Sequence, residues 1–403
     1  MSKYIGYQKV LQEQVKELLE TDSPIILFGT MALGQMAKKA LEFLGRKAVC
    51  FCDNDKSRQN TVVDGLIVLS SEKAREQYPD AFVFICSFKQ ANVEKIKSQL
   101  QNLGFNHICD KDVLFYVYQT QANSRNISSR DYADAIDILN NKKDMLTIEN
   151  VFVILTEKCS LHCKDCGRLI PYYKNPQNYD KNEIINSMKR LSASVDAIRS
   201  MVIFGGEPFL HPDIAEICIA ASNLENVSLV NIVTNGTIVP KDDILKKISN
   251  LGLYVVISDY GSLSTKKREL EAALESHGII YDIAEQNSKW YPVAPPKKYG
   301  RSIVENKKLY KNCAWGGNCP ELQNGEFHIC GYSATGTKLG RIPKNGSGYV
   351  DVLDPNLSIS EIRESLDKLI NHTTCITACD YCGFDFQATT ARAVQVNRIL
   401  ELE

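Results

Sequence analysis

Three cysteines fall within eight residues, in the stretch C-S-L-H-C-K-D-C that runs from 159 to 166. A structural zinc ion takes four protein ligands, usually as two spaced pairs. A redox dithiol needs one C-x-x-C, which Cys163 and Cys166 supply by themselves. An iron–sulfur cluster needs four iron ligands, so a loop with three thiolates leaves one iron open to a chelating substrate or cofactor. The spacing favours the three-ligand cluster, and zinc is the next alternative.

The chain has 14 cysteines, and their positions separate them into two groups. Five lie in apolar runs typical of strands or helices, where a reduced cysteine is an ordinary core residue; these are Cys50, Cys52, Cys86, Cys109 and Cys218. The other nine lie in loops, three between 159 and 166 and six between 313 and 382. In a reducing compartment, loop cysteines of this kind are expected to bind metal rather than to form disulfides.

The composition is that of a globular protein, with 403 residues, 44% hydrophobic and 24% charged side chains and a net charge of −1. This length predicts two or three domains. The small net charge gives no bulk positive field for nucleic acid or an acidic membrane. The N-terminal stretch lacks an apolar signal core, and no apolar run approaches the roughly 18 residues that span a bilayer. We therefore expect a cytoplasmic protein with no membrane span and no nucleic-acid partner.

Two series of alternating strand and helix patterns must position these residues. Over about 22–116, the runs PIILFGT, KAVCFCDND, AFVFICS and NHIC alternate with helical patterns, which predicts a parallel doubly wound sheet. From 151, the runs VFVIL, MVIFGGEP, LVNIVTNG, LYVVISD and GIIYDIAE repeat this design. The cysteine loop and other polar residues directly follow these strands, at the end where parallel barrels place their active sites. Beyond about 290 the alternation is lost, which is typical of a region organised around metal.

The loop C-x-x-x-C-x-x-C, placed directly after the first strand of the second series, resembles that of the radical S-adenosylmethionine (SAM) superfamily. The ends of the following strands are similar to three further motifs of that superfamily, in order over residues 151–260. The resemblance implies that the Gly-Gly-Glu motif hydrogen-bonds the methionine amino group and that the later motifs contact the ribose and the methionine carboxylate. The residues assigned in this way are Gly205, Gly206, Glu207, Pro208, Thr234, Asn235, Gly236, Ser258 and Asp259.

The resemblance also implies a mechanism. Cys159, Cys163 and Cys166 would hold a [4Fe–4S] cluster whose fourth iron is chelated by SAM. One electron, from an external donor of the flavodoxin or ferredoxin type, would cleave SAM to a 5′-deoxyadenosyl radical that abstracts hydrogen from the substrate. The difficult chemistry belongs to the cofactor, and the protein positions it and excludes competing reactions.

Two positions depart from the common pattern of the superfamily. Asp165 stands where many members have an aromatic residue that contacts adenine, and Ser160 stands where many have Asn. Both substitutions leave the cluster ligands intact. Adenine is then expected to pack elsewhere, on Leu169 or Tyr172.

The pieces C-A-W-G-G, N-G-E-F-H-I-C and C-D-Y-C-G resemble the auxiliary-cluster domains called SPASM and twitch. Matching by position gives four ligands for one further [4Fe–4S] cluster, namely Cys313, Cys330, Cys379 and Cys382. Cys375 is an alternative to Cys379, and Cys319 is expected to be free or a hydrogen-atom donor. Six cysteines fit the single-cluster twitch form better than the two-cluster form, and zinc in the same four thiolates is the alternative.

The N-terminal series carries a partial nucleotide-binding pattern. Gly29 and Gly34 open a helix after the first strand, and Asp53 ends the next strand, as in the Rossmann fingerprint, but Met31 replaces its middle glycine. That glycine lets pyrophosphate approach the backbone, so NAD binding is in doubt. The stretch also resembles small Rossmann-like domains attached to sugar-modifying proteins. A nucleotide-linked sugar is one expected ligand, and a docking or purely structural domain is the alternative.

These inferences predict an α/β protein with four parts. Residues 1–120 form a Rossmann-like parallel sheet, 121–146 a linker and leading helix, 147–300 a partial (β/α)6 TIM-like barrel with the radical SAM core, and 301–403 an irregular twitch/SPASM-like auxiliary-cluster domain. The expected cofactors are SAM, the cluster that SAM chelates and one auxiliary [4Fe–4S] cluster.

We expect an enzyme that acts on a small molecule, a sugar or nucleotide-linked sugar, by oxidation, epimerisation or dehydration. Two alternatives remain, a peptide-modifying or enzyme-maturing radical SAM protein and a non-catalytic iron–sulfur or zinc scaffold. The sequence does not identify the residue that donates or accepts the hydrogen. Cys319, Tyr260 and Tyr332 are candidates by position alone.

Overall fold

The chain divides into two compact units, Met1–Met145 and Leu146–Glu403. The computed structural model describes residues 21–30, 32–43, 45–86, 90–110, 146–249, 251, 253–284, 290–313, 315–317, 319–344, 346–384, 388–397 and 399–400, together with residues 16, 18 and 20. The predicted linker and leading helix at 121–146 lie outside the described residues except for Leu146, as does most of the helix expected at 7–20.

The first unit contains a six-stranded sheet whose strand order is β3-β4-β2-β1-β5-β6. Its strands are β1 (Ile25–Phe28), β2 (Ala48–Cys52), β3 (Val62–Val63), β4 (Leu66–Leu69), β5 (Phe82–Ile85) and β6 (His107–Asp110). Its helices with described bounds are α1 (Ala32–Phe43), α2 (Ser71–Gln77) and α3 (Gln90–Asn102). Every neighbouring pair is parallel except β3 and β4, so the predicted parallel sheet is confirmed. The central strands β1 and β5 are buried along their whole length, which explains their continuous apolar sequences.

The second unit is built on one nine-stranded sheet, ordered β12-β11-β10-β9-β8-β13-β14-β15, with β7 paired to β9. Its strands are β7 (Thr147–Ile148), β8 (Val151–Ile154), β9 (Ala197–Phe204), β10 (Val227–Thr234), β11 (Tyr254–Ser258), β12 (Ile280–Ala284), β13 (Glu321–Gln323), β14 (Glu326–His328) and β15 (Tyr349–Asp351). Its helices are α4 (Lys181–Ser194), α5 (Ile214–Ser222), α6 (Asp242–Ile248), α7 (Lys267–Ser276), α8 (Ile303–Asn312), α9 (Gly331–Lys338) and α10 (Ile359–Asn371). The strands from β8 to β12 are parallel, as the alternating pattern predicted.

Three helices of this unit, α4, α8 and α10, begin at residues whose side chains satisfy free backbone N–H groups of the first turn. The Asp180 carboxylate accepts hydrogen bonds from two N–H groups of α4. Ser302 with Glu305 and Ser358 with Glu361 form capping boxes at the starts of α8 and α10. These caps fix where each helix leaves its preceding loop.

The region after residue 300 shares its sheet with the core. Strand β13 lies parallel to β8, with Glu321 opposite Phe152 and Leu322 opposite Val153. Strands β14 and β15 then continue the sheet in antiparallel fashion. Among the described residues, β8 to β12 form five neighbouring parallel strands, and the (β/α)6 barrel stays a prediction. The predicted boundary at 300 does not coincide with a division between compact units, because residues on both sides belong to the second one.

Within the part of the chain that the structure describes, no helix is both long enough and apolar enough to cross a membrane.

Candidate active site

The loop ends of four neighbouring strands meet around one cavity of about 260 Å³. The three-cysteine loop follows β8, and β9, β10 and β11 end at Phe204, Thr234 and Ser258. Because these strands are parallel neighbours, their carboxyl ends lie at the same edge of the sheet. The predicted cluster and SAM residues that line the cavity are Cys159, Cys163, Cys166, Gly205, Gly206, Thr234, Asn235 and Ser258.

The three thiols of this loop lie in a desolvated environment. Burial raises the pKa of each thiol, and that of Cys163 reaches about 11. Such thiols are protonated at neutral pH, so a metal centre must displace their protons when it binds. Amide groups already point at two of the sulfurs, with Asn235 Nδ2 3.6 Å from Cys159 Sγ and Gln395 Nε2 3.2 Å from Cys163 Sγ. These N–H groups suit anionic sulfur, so the residues present fit an iron–sulfur cluster.

Two glycines hold the end of β9 directly against the cysteine loop. Gly206 N donates to Thr156 O and Glu207 N donates to Lys158 O, each at 2.8 Å. A Cβ on Gly205 would lie 2.6 Å from Thr156 O, and one on Gly206 would lie 2.2 Å from Lys158 O. Gly205 also has φ +148°, a conformation that side chains disfavour. The two glycines are therefore required for the close approach of the two loops.

The Glu207 carboxylate is fully buried and is occupied by protein donors. It accepts hydrogen bonds from Phe209 N at 3.1 Å, from Thr234 Oγ1 at 2.9 Å and from Asn235 N at 2.8 Å. Burial raises its pKa to about 7. The Glu207 side chain is not part of the cavity wall, whereas Gly205 and Gly206 are. Glu207 thus ties the loop after β9 to the loop after β10, and the backbone of the two glycines faces the cavity.

Three other predicted SAM residues also lie outside the cavity wall. These are Pro208, Gly236 and Asp259. Asp259 pairs with Lys267, with Oδ2 2.6 Å from Nζ, and accepts a hydrogen bond from Gly261 N at 2.8 Å. Gly236 has φ +71° and turns the chain after β10. These residues shape the loops, and their neighbours Asn235 and Ser258 reach the cavity.

The opposite wall of the cavity comes from the region after residue 313. Trp315, Cys319, Glu321, Gly331 and Tyr332 line it. The predicted catalytic candidates Cys319 and Tyr332 are therefore at the cavity, as is Tyr260 from the loop after β11.

A buried chain of polar side chains braces the cysteine loop at both ends. Arg168, two residues after Cys166, forms an ion pair with Glu321 and donates from Nη2 to Gln323 Oε1 at 2.8 Å. Gln323 donates to Tyr179 Oη at 2.7 Å, and Tyr179 donates to Glu157 Oε1 at 2.8 Å. Because Glu157 precedes the loop and Arg168 follows it, this network fixes both ends of the loop. It is not among the features predicted from the sequence, because its members are up to 166 residues apart in the chain.

The residues expected to pack against adenine are not at the cavity. Leu169 is only 1% exposed and belongs to the core, and Tyr172 does not line the cavity either. Tyr260 and Trp290 are two of the aromatic side chains that do line the cavity, and their ring centroids are 6.0 Å apart. Gly167, Arg168 and Ile170 line the cavity instead, and the packing of adenine on Leu169 or Tyr172 stays a prediction.

A second, smaller cavity of about 30 Å³ is lined by the four predicted auxiliary-cluster cysteines. Cys313, Cys330, Cys379 and Cys382 all face it, together with apolar side chains such as Leu309 and Ile376. Cys375 and Cys319 are not in this wall. Burial raises the pKa of the Cys379 thiol to about 11 and that of Cys382 to about 12. Four thiols around one apolar cavity fit a fully ligated cluster.

Among the residues that the structure describes, no group of three or more His, Cys, Asp or Glu side chains is arranged to hold a single metal ion. The thiolates of a [4Fe–4S] cluster bind different irons, so neither cysteine group has to converge on one point.

In the first unit, the residues of the predicted nucleotide-binding pattern contact other groups of the protein. Asp53 Oδ2 accepts hydrogen bonds from Thr30 N at 3.2 Å and Thr30 Oγ1 at 2.5 Å, and Asp53 Oδ1 accepts one from Asp55 N at 3.0 Å. Gly34 packs on the loop so closely that a Cβ would lie 1.9 Å from Gly29 O. Asp53 therefore holds the turn after β1 in place, and nucleotide binding by Gly29, Gly34 and Asp53 stays a prediction.

Comparisons with known proteins agree with the geometry of the second unit. Residues 153–259 match the family model for the radical SAM superfamily. The chain contains a radical SAM superfamily domain. This match spans β8 to the end of β11, the elements that carry the three cysteines and the loops around the first cavity.

The curated relatives match only part of the chain. The mitochondrial GTP 3′,8-cyclase of Arabidopsis thaliana is 34% identical over 131 residues, which is 32% of this chain and 32% of that protein. Molybdenum cofactor biosynthesis protein 1 of Mus musculus is 30% identical over 121 residues, which is 29% of this chain and 18% of that protein. The chain thus spans at most a third of the length of these relatives.

Among solved structures, BtrN in complex with AdoMet and 2-DOIA aligns with 61% of this chain and 97% of its own, at 13% identity and a TM-score of 0.37. A similarity at this TM-score is too low to bear on the function of this chain.

Proposed function

We propose that this protein is a radical SAM enzyme with one auxiliary [4Fe–4S] cluster. Cys159, Cys163 and Cys166 would hold the first cluster and leave one iron for SAM. The observation that carries the proposal is the meeting of three thiols with the backbone of Gly205 and Gly206 at one cavity. When bound there, the cluster and SAM together supply a 5′-deoxyadenosyl radical that abstracts hydrogen from the substrate.

The residues around the cavity have separate roles in binding the cluster and SAM. Asn235 and Gln395 donate N–H groups to the cluster sulfurs. Gly205 and Gly206 offer backbone groups to the methionine part of SAM, while the buried Glu207 keeps Asn235 in position. The aromatic side chains that line the cavity, among them Tyr260 and Trp290, exclude water, which protects a reactive radical from side reactions.

We propose that the four cysteines around the second cavity hold the auxiliary cluster. Cys379 is the ligand in preference to Cys375, because only Cys379 faces that cavity. A cluster bound there supplies a one-electron acceptor close to the substrate. Among the described residues Tyr332 lines both cavities, so the substrate space and the four thiols are neighbours.

The substrate is proposed to be a small molecule with hydroxyl groups, such as a sugar or nucleotide-linked sugar, that is oxidised, epimerised or dehydrated. The buried Glu321 carboxylate, beside Trp315 and Tyr332 at the cavity, suits a ligand with hydroxyl groups and an apolar ring face. The two reported relatives do not support a sugar, and one of them is named as a GTP 3′,8-cyclase. GTP is therefore the second candidate substrate, although the family match ends at residue 259 and omits the wall that contains Glu321.

The test begins with protein purified without oxygen, in which iron, sulfide and zinc are measured per chain. Two filled clusters give about eight irons, and a Cys159/Cys163/Cys166→Ala triple variant should keep about four. Reduced protein should release 5′-deoxyadenosine from SAM, and the triple variant should not. A panel of nucleotide sugars, GTP and a short peptide then identifies the substrate class by the increase in this release. Absence of iron after reconstitution would refute the proposal, and about four irons with one zinc would leave the second cavity structural.

A further inference from the structure

The last part of the chain pairs with the three-cysteine loop. Residues 388–397, called here the C-terminal strap, run antiparallel to that loop, with Cys163 opposite Gln395. Lys164 N donates to Val394 O at 2.7 Å and Val396 N donates to His162 O at 2.9 Å, so backbone bonds flank the central cysteine on both sides. The strap therefore holds the central thiol of the loop in place.

The strap is anchored at a second place through Asp165. Thr390 Oγ1 donates to Asp165 Oδ2 at 3.1 Å, and Val293 N donates to Asp165 Oδ1 at 3.1 Å. Thr390 N also donates to Trp290 O at 2.9 Å. Asp165 is the position where many radical SAM proteins have an aromatic residue. In this chain the Asp165 carboxylate binds the strap, which accounts for an aspartate at this position.

The Gln395 side chain has a fixed orientation. Its Oε1 accepts a hydrogen bond from His162 N at 2.8 Å, and its Nε2 donates to Ala393 O at 2.8 Å. A backbone N–H can only donate and a backbone carbonyl can only accept, so these two contacts assign the amide oxygen and nitrogen. The second N–H of the amide points at Cys163 Sγ, with the nitrogen 3.2 Å from the sulfur.

We propose that Gln395 is a positioning residue that raises the reduction potential of the SAM-binding cluster. The inference rests on the proposed cluster at Cys159, Cys163 and Cys166. Adding an electron makes the cluster sulfurs more negative, so an N–H donor stabilises the reduced form more than the oxidised form. Hydrogen bonds to charged groups exceed those to neutral groups by on the order of 1.4 kcal/mol, and a difference of this size between the two forms is a tenfold change in electron affinity. For one electron a tenfold change corresponds to about 59 mV.

The test is a redox titration of the reconstituted full-length protein, followed by electron paramagnetic resonance. Adding SAM changes the signal of the cluster that binds it, which separates this cluster from the auxiliary one. Gln395→Leu removes the donor and should lower the midpoint potential by about 59 mV, a tenfold loss of electron affinity. Asn397→Leu, an exposed position on the same strap, is the matched control and should leave the midpoint unchanged.

Gln395→Glu is the second variant, because it keeps an oxygen for His162 N and loses the N–H group. It should lower the midpoint potential at least as much as Gln395→Leu does. If Gln395→Leu loses iron, the midpoint of Gln395→Glu provides the test. Unchanged midpoints in fully loaded Gln395 variants would overturn the inference and leave the proposed enzyme intact. Wild-type protein without a SAM-responsive signal would instead refute the proposed function.

Discussion

Replacing Gly206 by alanine tests whether backbone contact between two loops positions the cluster. The new Cβ would lie 2.2 Å from Lys158 O and 3.0 Å from Cys159 Cβ, whereas real Cβ contacts essentially never fall below 3.0 Å. The cysteine loop must therefore move by roughly 1 Å, a misplacement that can cost about a hundredfold in rate. Overpacking of this kind also costs about 1–3 kcal/mol of folding free energy.

The assay measures iron per chain and 5′-deoxyadenosine release in parallel with the urea midpoint of unfolding. Gly206→Ala should bind less iron at the three-cysteine site and release 5′-deoxyadenosine about a hundredfold more slowly. Gly278→Ala is the control, because Gly278 has φ +65° and no atom within 4 Å of the new Cβ. It should lose about 1 kcal/mol of stability and keep full activity. Full iron loading and a wild-type rate in Gly206→Ala would refute the reasoning.

Three further predictions concern other parts of the second unit. Cys379→Ser should lose about four irons per chain while its neighbour Cys375→Ser keeps them, and equal losses would contradict the assignment from the second cavity. Glu207 has a pKa raised to about 7 by burial. Its protonated form is thus favoured in the folded state, so the stability it contributes is complete below its ordinary value near 4.5 and is lost as the pH rises through 7. Across that pH range the wild type should lose about 3 kcal/mol of folding free energy relative to Glu207→Gln. Urea midpoints that change equally with pH in the two proteins would contradict this. Arg168→Met leaves the Glu321 carboxylate buried without its partner and should cost about 3–5 kcal/mol, whereas the double variant with Glu321→Leu should recover much of that loss. A double variant no more stable than Arg168→Met in urea would show that the ion pair is not the cause.

The parts of the fold that sequence predicts best are those with a local cause. Strands β1 and β5 are short apolar runs because both faces of a parallel sheet are covered. The cysteine loop and Gly205–Gly206 can be recognised in the sequence because few other structures need these residues at this spacing. The four cysteines of the second cavity were assigned through the resemblance to auxiliary-cluster domains, of which the C-x-x-C of Cys379 and Cys382 is one part.

The parts that sequence reasoning missed depend on contacts between distant residues. Arg168 and Glu321 are 153 residues apart, and Cys163 and Gln395 are 232 residues apart. Neither pair has a periodic pattern that would reveal its partner. Asp165 shows the limit clearly, because its departure from the superfamily pattern was visible but its partner Thr390 was not.

The pairing of β13 with β8 has a consequence for how the chain is made. Strand β8 has β9 on one side and gains β13 on the other only when Glu321–Gln323 has been synthesised. Ribosomes add about 5–20 residues per second, so β8 presents an unpaired edge for roughly ten to thirty seconds. Exposed strand edges recruit other chains. Newly made protein should therefore aggregate when synthesis stops before residue 321, and chaperones should bind it during this interval.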